Sequence, residues 1–357
     1  MTNKIPIIKV KSEIKNIGAT NPNVRDVVCL IGGFETDANY LEPTFYPTLA
    51  AAEEDLYDGS ESTLPDANAA LRQLFRRGVS GVLCVNISVE SSGTWSRTVT
   101  KTKLENSLAA VNQLEFDILY VAAELTDELI TVIDTEASAR FEDKKPFGYI
   151  GVGSRASASA YTTTANKLGE YNYAFLTQTL KLDGDESALS LIESGAYLTN
   201  LIATMNVGES LTAKVLDEVV AVGTTYTFGE SDLGTTLVGL GYFVVRLVNP
   251  AENTYECVNS ATNNGLDLYM NRVRDYIVND FALREFLGEM NNQATLDSIG
   301  MECNRLLVKF RDELGVVEDI TYAVEKASAD KVNVILNTIQ FAGVITEIDV
   351  FITIEVV

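Results

Sequence analysis

The chain contains no histidine, a single tryptophan, seven prolines and four cysteines in 357 residues. Without histidine there is no Ser–His or Cys–His nucleophile pair and no His-ligated zinc. The commonest general base near neutral pH is missing as well. The cysteines, Cys29, Cys84, Cys257 and Cys303, stand far apart with no Cys-x-x-Cys pair, which argues against a zinc knuckle or a thioredoxin-type redox pair. Cys29 and Cys84 fall inside apolar, strand-like runs and read as small core residues. Basic side chains are scarce, 27 against 50 acidic, for a formal net charge of -23. A surface that acidic repels nucleic-acid phosphates and anionic lipids, so neither is expected as a partner. Long apolar runs are also lacking. The most apolar window, 237–248, is too short to span a bilayer and carries Arg246, and residues 1–10 have no signal-peptide character. The expectation is a soluble protein made in the cytosol, without membrane insertion. Its 46% hydrophobic content and a length of roughly two domains at ~150 residues each allow a core that needs no metal or disulfide. Composition thus leans away from a hydrolase and toward a structural or binding role.

What is present reads first as alternating strand and helix. Val27-Val-Cys-Leu-Ile31 is a buried strand ending in Gly32-Gly33. A helix follows over 68–77 with Ala70, Leu71, Leu74 and Phe75 on one face, then Gly78 and Gly81 as breakers, and a strand over 82–87. Helix over 104–114, strand over 116–122, helix over 125–140 and strand over 147–152 repeat the pattern. Short connections between them predict a three-layer α/β domain with mostly parallel strands. From 153 to 173 the chain turns small and polar, which reads as a surface loop and a domain boundary. A helix over 190–205 and short strands joined by turns over 215–248 come next. Two helices then carry apolar residues at helical spacing: Leu266, Met270, Val273 and Ile277 in the first, and Leu296, Cys303, Leu306, Phe310 and Leu314 in the second, capped by Thr295. The second half is therefore α+β, ending in a strand over 331–341, a turn and a last strand over 344–357.

That last strand is the clearest local pattern. Val344, Thr346, Ile348, Val350, Ile352, Ile354 and Val356 alternate with Ile345, Glu347, Asp349, Phe351, Thr353 and Glu355. Such a strand reaches roughly 45 Å at ~3.3 Å per residue and is an aggregation hazard unless a partner covers it. At the other end, Lys4-Ile-Pro-Ile-Ile-Lys-Val-Lys11 has the proline and lysines of a sheet edge or a free arm.

Motifs for chemistry are weak. Phe147-Gly-Tyr-Ile-Gly-Val-Gly-Ser154 is glycine-rich after a strand, but it lacks the lysine of a phosphate-binding loop and the helix of a dinucleotide fingerprint. It leaves an enzyme that binds a nucleotide or sugar phosphate at 148–154 as the alternative. Asp183-Gly-Asp-Glu186 reads as a solvated turn rather than a calcium corner, and Glu53-Glu-Asp55 as a solvated helix face. No catalytic residue, cofactor-binding residue or metal ligand emerges. Arg76-Arg77 and Arg272/Arg274 are the densest basic spots, and in so acidic a chain they suit a protein partner.

Asn271-Arg-Val-Arg-Asp-Tyr-Ile-Val-Asn-Asp280, the segment 281–288, and the helix, strand and alternating strand after it resemble the C-terminal domain of contractile tail sheath proteins. These form the outer cylinder of phage tails, R-type bacteriocins and related injection machines. Val27 to Gly33 and Leu71-Arg-Gln-Leu-Phe-Arg-Arg-Gly-Val-Ser-Gly-Val-Leu-Cys-Val85 are similar to that family's strand-turn and helix-glycine-strand units. Two segments depart from it: Lys4–Lys11 replaces a Pro-Gly-Val-Tyr-like start, and Cys257-Val-Asn-Ser-Ala-Thr262 a Trp-Gly-x-Arg-like stretch. The chain is also short for the family, implying a minimal sheath without large outer insertions.

The resemblance implies a two-domain subunit without catalysis or cofactor, divided as an arm (1–20), an outer α/β domain (21–165), an inner tube-facing α+β domain (166–343) and an exchange strand (344–357). It implies stacked homo-oligomeric rings around a tail tube protein, with baseplate and terminator proteins at the ends, in a virion or phage-tail-like particle assembled in the host cytoplasm. Another self-assembling virion protein is a further alternative. Ile5, Ile7, Ile8 and Val10, with Ile348, Val350, Phe351, Ile352 and Ile354, would serve strand exchange between subunits. Arg272, Arg274, Arg284, Arg305, Lys309 and Arg311 are the candidates for facing the tube, with local pairing to Asp275, Glu302 or Asp312 as the competing role.

Overall fold

In the computed structural model, residues 26–92, 94–281, 283, 286, 289, 292–328 and 332–342 are described. In chain order the first elements are β1 (Val28–Gly32), β2 (Thr44–Tyr46), α1 (Leu49–Leu56), α2 (Asp66–Leu74), β3 (Val82–Asn86), β4 (Val89–Ser91) and β5 (Thr94–Ser96). Then come α3 (Lys101–Val111), β6 (Ile118–Val121), α4 (Asp127–Glu142), β7 (Gly148–Val152), α5 (Ala158–Ala165), β8 (Asn172–Leu176), β9 (Leu180–Leu182) and α6 (Leu191–Thr204). The rest are β10 (Val219–Val222), α7 (Leu233–Gly239), β11 (Val245–Asn249), β12 (Thr254–Cys257), α8 (Leu268–Asp280), α9 (Gln293–Val308), β13 (Val317–Lys326) and β14 (Val332–Phe341).

Strands β1, β3, β6, β7 and β8 are mostly apolar, with Asn86 and Asn172 at strand ends, and buried along their whole length, as strands covered by helices on both faces must be. They form a six-stranded sheet in the order β2-β3-β1-β6-β7-β8, parallel except for the edge strand β2. Alternate residues supply two cores. Val28 and Leu30 pack with α1, α2 and α6 on one face. Cys29 and Ile31 pack with α3, α4, α5 and α7 on the other. The alternation of strand and helix thus builds the three-layer α/β unit that the sequence pattern predicts.

The polar stretch 153–173 is not a loop. Ser157 caps α5, accepting a hydrogen bond from the Ala160 amide at 3.3 Å, and β8 continues the sheet beside β7. Its apolar positions, Tyr161, Ala165, Leu168 and Tyr171, are buried, but small hydroxyl residues between them hide the period. The boundary placed at residue 165 therefore falls inside the sheet unit. The region 215–248 likewise contains helix α7. Ser190 and Glu193 form a reciprocal cap at the start of α6, whereas α9 is capped by Asn292 rather than Thr295, whose amide Asn292 accepts at 3.1 Å.

A third core belongs to α8, α9 and the β13–β14 hairpin, with Val273, Ile277, Cys303, Leu306, Phe310, Val317 and Ile320 inside. All four cysteines are free and buried. Among the described residues, no helix is long and apolar enough to cross a membrane.

Candidate assembly interface

Among the described residues the β13–β14 hairpin is the longest strand pairing. β13 and β14 each run ten residues and pair antiparallel from Val317↔Phe341 to Lys326↔Val332, with two register shifts. Val317, Ile320, Tyr322, Val332, Val334, Leu336, Ile339 and Phe341 contribute to the third core, and the Tyr322 hydroxyl donates to Asn304 Oδ1 of α9 at 2.7 Å. Among the described residues this sheet has only two strands, so both outer edges carry backbone donors and acceptors without a strand partner. Sequence reading overlooked β13. Its signal was the spacing of Val317, Ile320, Tyr322 and Val324, which the acidic Glu318, Asp319 and Glu325 interrupt. The strand-exchange residues Ile5, Ile7, Ile8, Val10, Ile348, Val350, Phe351, Ile352 and Ile354 lie outside the described residues, as does Arg284.

The basic candidates divide. Arg272 is fully buried on α8 and pairs with Asp26 at 3.0 Å. Its guanidinium also donates to the carbonyls of Asn206 at 3.1 Å and Met205 at 3.3 Å. Arg274 is mostly covered: it donates to Asp275 at 2.8 Å and Glu170 at 3.3 Å and lies over the rings of Phe141 and Tyr171. Neither presents its charge to a partner. Both are corrections to the expected docking set, and the reason is that α8 is covered on the side these residues occupy. Arg305 pairs with Glu302 and Arg311 with Asp312, both exposed, and Lys309 reaches Asp280 at 2.6 Å. Lys309 and Arg311 sit on a π-helical turn, Lys309–Glu313, that ends α9. Met301 and Val308 are exposed on the same helix as Arg305, four and three residues from it. The Arg76-Arg77 spot is likewise spent within the chain, on Asp185 and Glu218.

Around Arg272 a buried polar cluster joins α8 to the base of the sheet. Asp26, just before β1, accepts from Arg272 and from the Tyr276 hydroxyl. Tyr173 of β8 donates to Asp275 at 2.8 Å. Burial pushes the Asp26 carboxyl up while Arg272 and Tyr276 pull it back. Burial would lower Arg272, but Asp26 and the two tyrosines outweigh it and the group stays charged. Such pairs hold only while both members are present. The one hint in the sequence was Arg272 and Tyr276, neighbours at i,i+4 on a face beside the apolar stripe.

At the glycine-rich segment the glycines serve packing. A Cβ on Gly148 would lie 2.1 Å from the Tyr173 ring, and one on Gly151 would lie 2.6 Å from the Phe175 ring. The Ser154 amide donates to the Glu124 carboxylate at 3.1 Å, placing a negative group where a phosphate oxygen would have to sit. Arg155 is spent on the Leu125 and Ser154 carbonyls and Thr164. The geometry opposes the phosphate-binding alternative. Gly148→Ala is accordingly expected to cost about 1–3 kcal/mol by forcing Tyr173 aside, read as a lower midpoint in denaturant unfolding.

No protein-family model matches the chain, and no curated protein sequence does. Solved structures do. The sheath tail protein from Desulfitobacterium hafniense superposes with a TM-score of 0.64 at 13% identity, over 93% of this chain and 99% of that one. The helical sheath of the anti-feeding prophage in its contracted state gives 0.63 at 16% identity, covering 99% of each chain. The contracted PVC sheath complex of an extracellular contractile injection system gives 0.67 at 13% identity, over 99% of this chain and 98% of that one.

The chain has the tail sheath fold. The likeness spans the α/β unit and the paired-helix block together, so the α/β fold class with an α+β second half stands as the sequence resemblance implied. A tail sheath fold at so low an identity is carried by the element pattern, the same feature on which the resemblance in the sequence rested.

Proposed function

We propose that this protein is the structural subunit of a contractile tail sheath, polymerising as stacked rings around a tail tube and contracting to drive that tube through a target envelope. The observation that carries the reading is the β13–β14 hairpin, a ten-residue, two-stranded ribbon. A two-stranded ribbon is marginal alone, and edges that carry no further strand among the described residues suit strand addition by another subunit. The over-long alternating segment 344–357 and the lysine-flanked arm around Ile5 to Val10 supply strands of the right character. Contraction would then be rigid-body motion of subunits about flexible strand connections.

In this reading the paired-helix block faces the tube and the α/β unit lies further out. Arg305, Lys309 and Arg311, with Met301 and Val308, are the candidates for meeting the tube, since complementary charge sets register between partners. Baseplate and terminator proteins would hold the two ends, and the particle would be a virion or a phage-tail-like device assembled in the host cytoplasm. The function is mechanical and needs no cofactor. Negative-stain microscopy of the purified chain tests it. Tubes or stacked rings are expected; uniform small particles at every concentration would refute the sheath reading.

A further inference from the structure

The junction between α8 and the base of the sheet gathers several carboxylates around one cavity, among them buried Asp26 and Asp275 and half-buried Asp117. Asp26 takes the Arg272 guanidinium and the Tyr276 hydroxyl. Among the described residues, the carboxylate of Asp117, which precedes β6, accepts only the Val27 amide, at 2.7 Å. The other groups facing Asp117 are Glu115 from the same loop, Arg140 at the end of α4, Lys145 in the connection to β7, Tyr173 of β8, and Asp275 and Tyr276 of α8. With Asp26 and Asp117 they line one cavity of about 170 Å³. Arg140 does not serve Asp117, because its guanidinium donates to the carbonyls of Val111, Leu114 and Lys145 and lies over Phe116 and Phe147. Arg272 is likewise committed to Asp26 and two carbonyls. A small polar cavity thus adjoins a carboxyl whose two nearby guanidinium groups, Arg140 and Arg272, are committed elsewhere.

We propose that Asp117 is a proton-operated latch for α8. In its neutral form it lets the helix seat against the base of the sheet; ionised, it sets a second negative charge beside Asp26 and loosens that seat. Burial, then the charge of Asp26, pushes the Asp117 carboxyl from 3.8 up to about 7, against the pull of the Val27 amide and Arg272. Because the folded value is the higher one, the protonated group stabilises the fold. That contribution is complete below about 4 and is lost as pH rises through about 7. The latch is therefore closed on the acid side and weakened on the alkaline side.

Hydrogen exchange of the full chain reads the latch locally, after correction for the intrinsic pH dependence of exchange. Linkage to one group near 7 predicts about a tenfold loss of protection in the α8 amides between about pH 6 and about pH 8. Protection in α3, on the far side of the sheet unit, should change little. Asp117→Asn, a neutral side chain that can still accept the Val27 amide, should hold α8 at its acid-side protection throughout. Asp134 of α4 also titrates high, at about 6, for burial reasons of its own, so Asp134→Asn is the control and should leave the α8 profile intact. Flat α8 protection in the wild type, a profile that survives Asp117→Asn, or one abolished by Asp134→Asn would each overturn the proposal. If Asp117→Asn fails to fold, the wild-type contrast between α8 and α3 still decides.

Discussion

Arg272→Glu is expected to abolish the stable fold of the paired-helix block. Arg272 is completely buried and Asp26, its partner, nearly so. Removing one member of such a pair costs about 3–5 kcal/mol, because the other charge is left buried without compensation. Reversal adds a third carboxyl group beside Asp26 and Asp117, so the loss should exceed that range. Total domain stability is typically about 5–15 kcal/mol, and the variant should therefore be largely unfolded or should show a separate, early transition for α8, α9 and the hairpin. Far-ultraviolet circular dichroism with denaturant unfolding checks it. The matched comparison is Arg305→Glu, whose pairing with Glu302 is on the surface and contributes little. If both variants unfold at the same denaturant concentration as the wild type, the junction does not hold the block in place.

Removing 344–357 is expected to give a folded subunit that no longer polymerises. These residues lie outside the described part of the structure, where the third core draws on α8, α9, β13 and β14. An added strand forms a row of backbone hydrogen bonds, each contributing about 0.5–1.5 kcal/mol net, and its apolar side chains on both faces bury further area. Losing that row from an intersubunit sheet removes several kcal/mol per contact, enough to dissolve a polymer while leaving each monomer intact. The competing arrangement is a hairpin of 344–357 on the outer edge of β14 within one subunit. Circular dichroism and size-exclusion chromatography of the truncated chain separate the two. Native-like spectra with no polymers support donation to a neighbour, and global unfolding places the strand in its own subunit's core.

Strands β1, β3, β6 and β7 and the helices α2, α3 and α4 between them were legible in the sequence because each strand there is a short apolar run and each helix shows its stripe. Local periodicity records which faces must leave water, and in the α/β unit nearly every face does. The absent histidine and the acidic balance likewise limited the chemistry without any coordinates. Three things waited on the tertiary structure. Helix α5 was hidden because hydroxyl residues occupy much of its exposed face, and strand β8, buried throughout, is marked only by its pairing with β7. The glycines of 148–153 were ambiguous until Tyr173 and Phe175 were seen to fill the space above them. Arg272 read as a surface charge because its partner is 246 residues away. A sequence shows that a helix carries an arginine beside its apolar stripe. Whether that arginine meets solvent, a neighbouring subunit or a buried aspartate depends on which element the fold lays against it, and that contact is long-range.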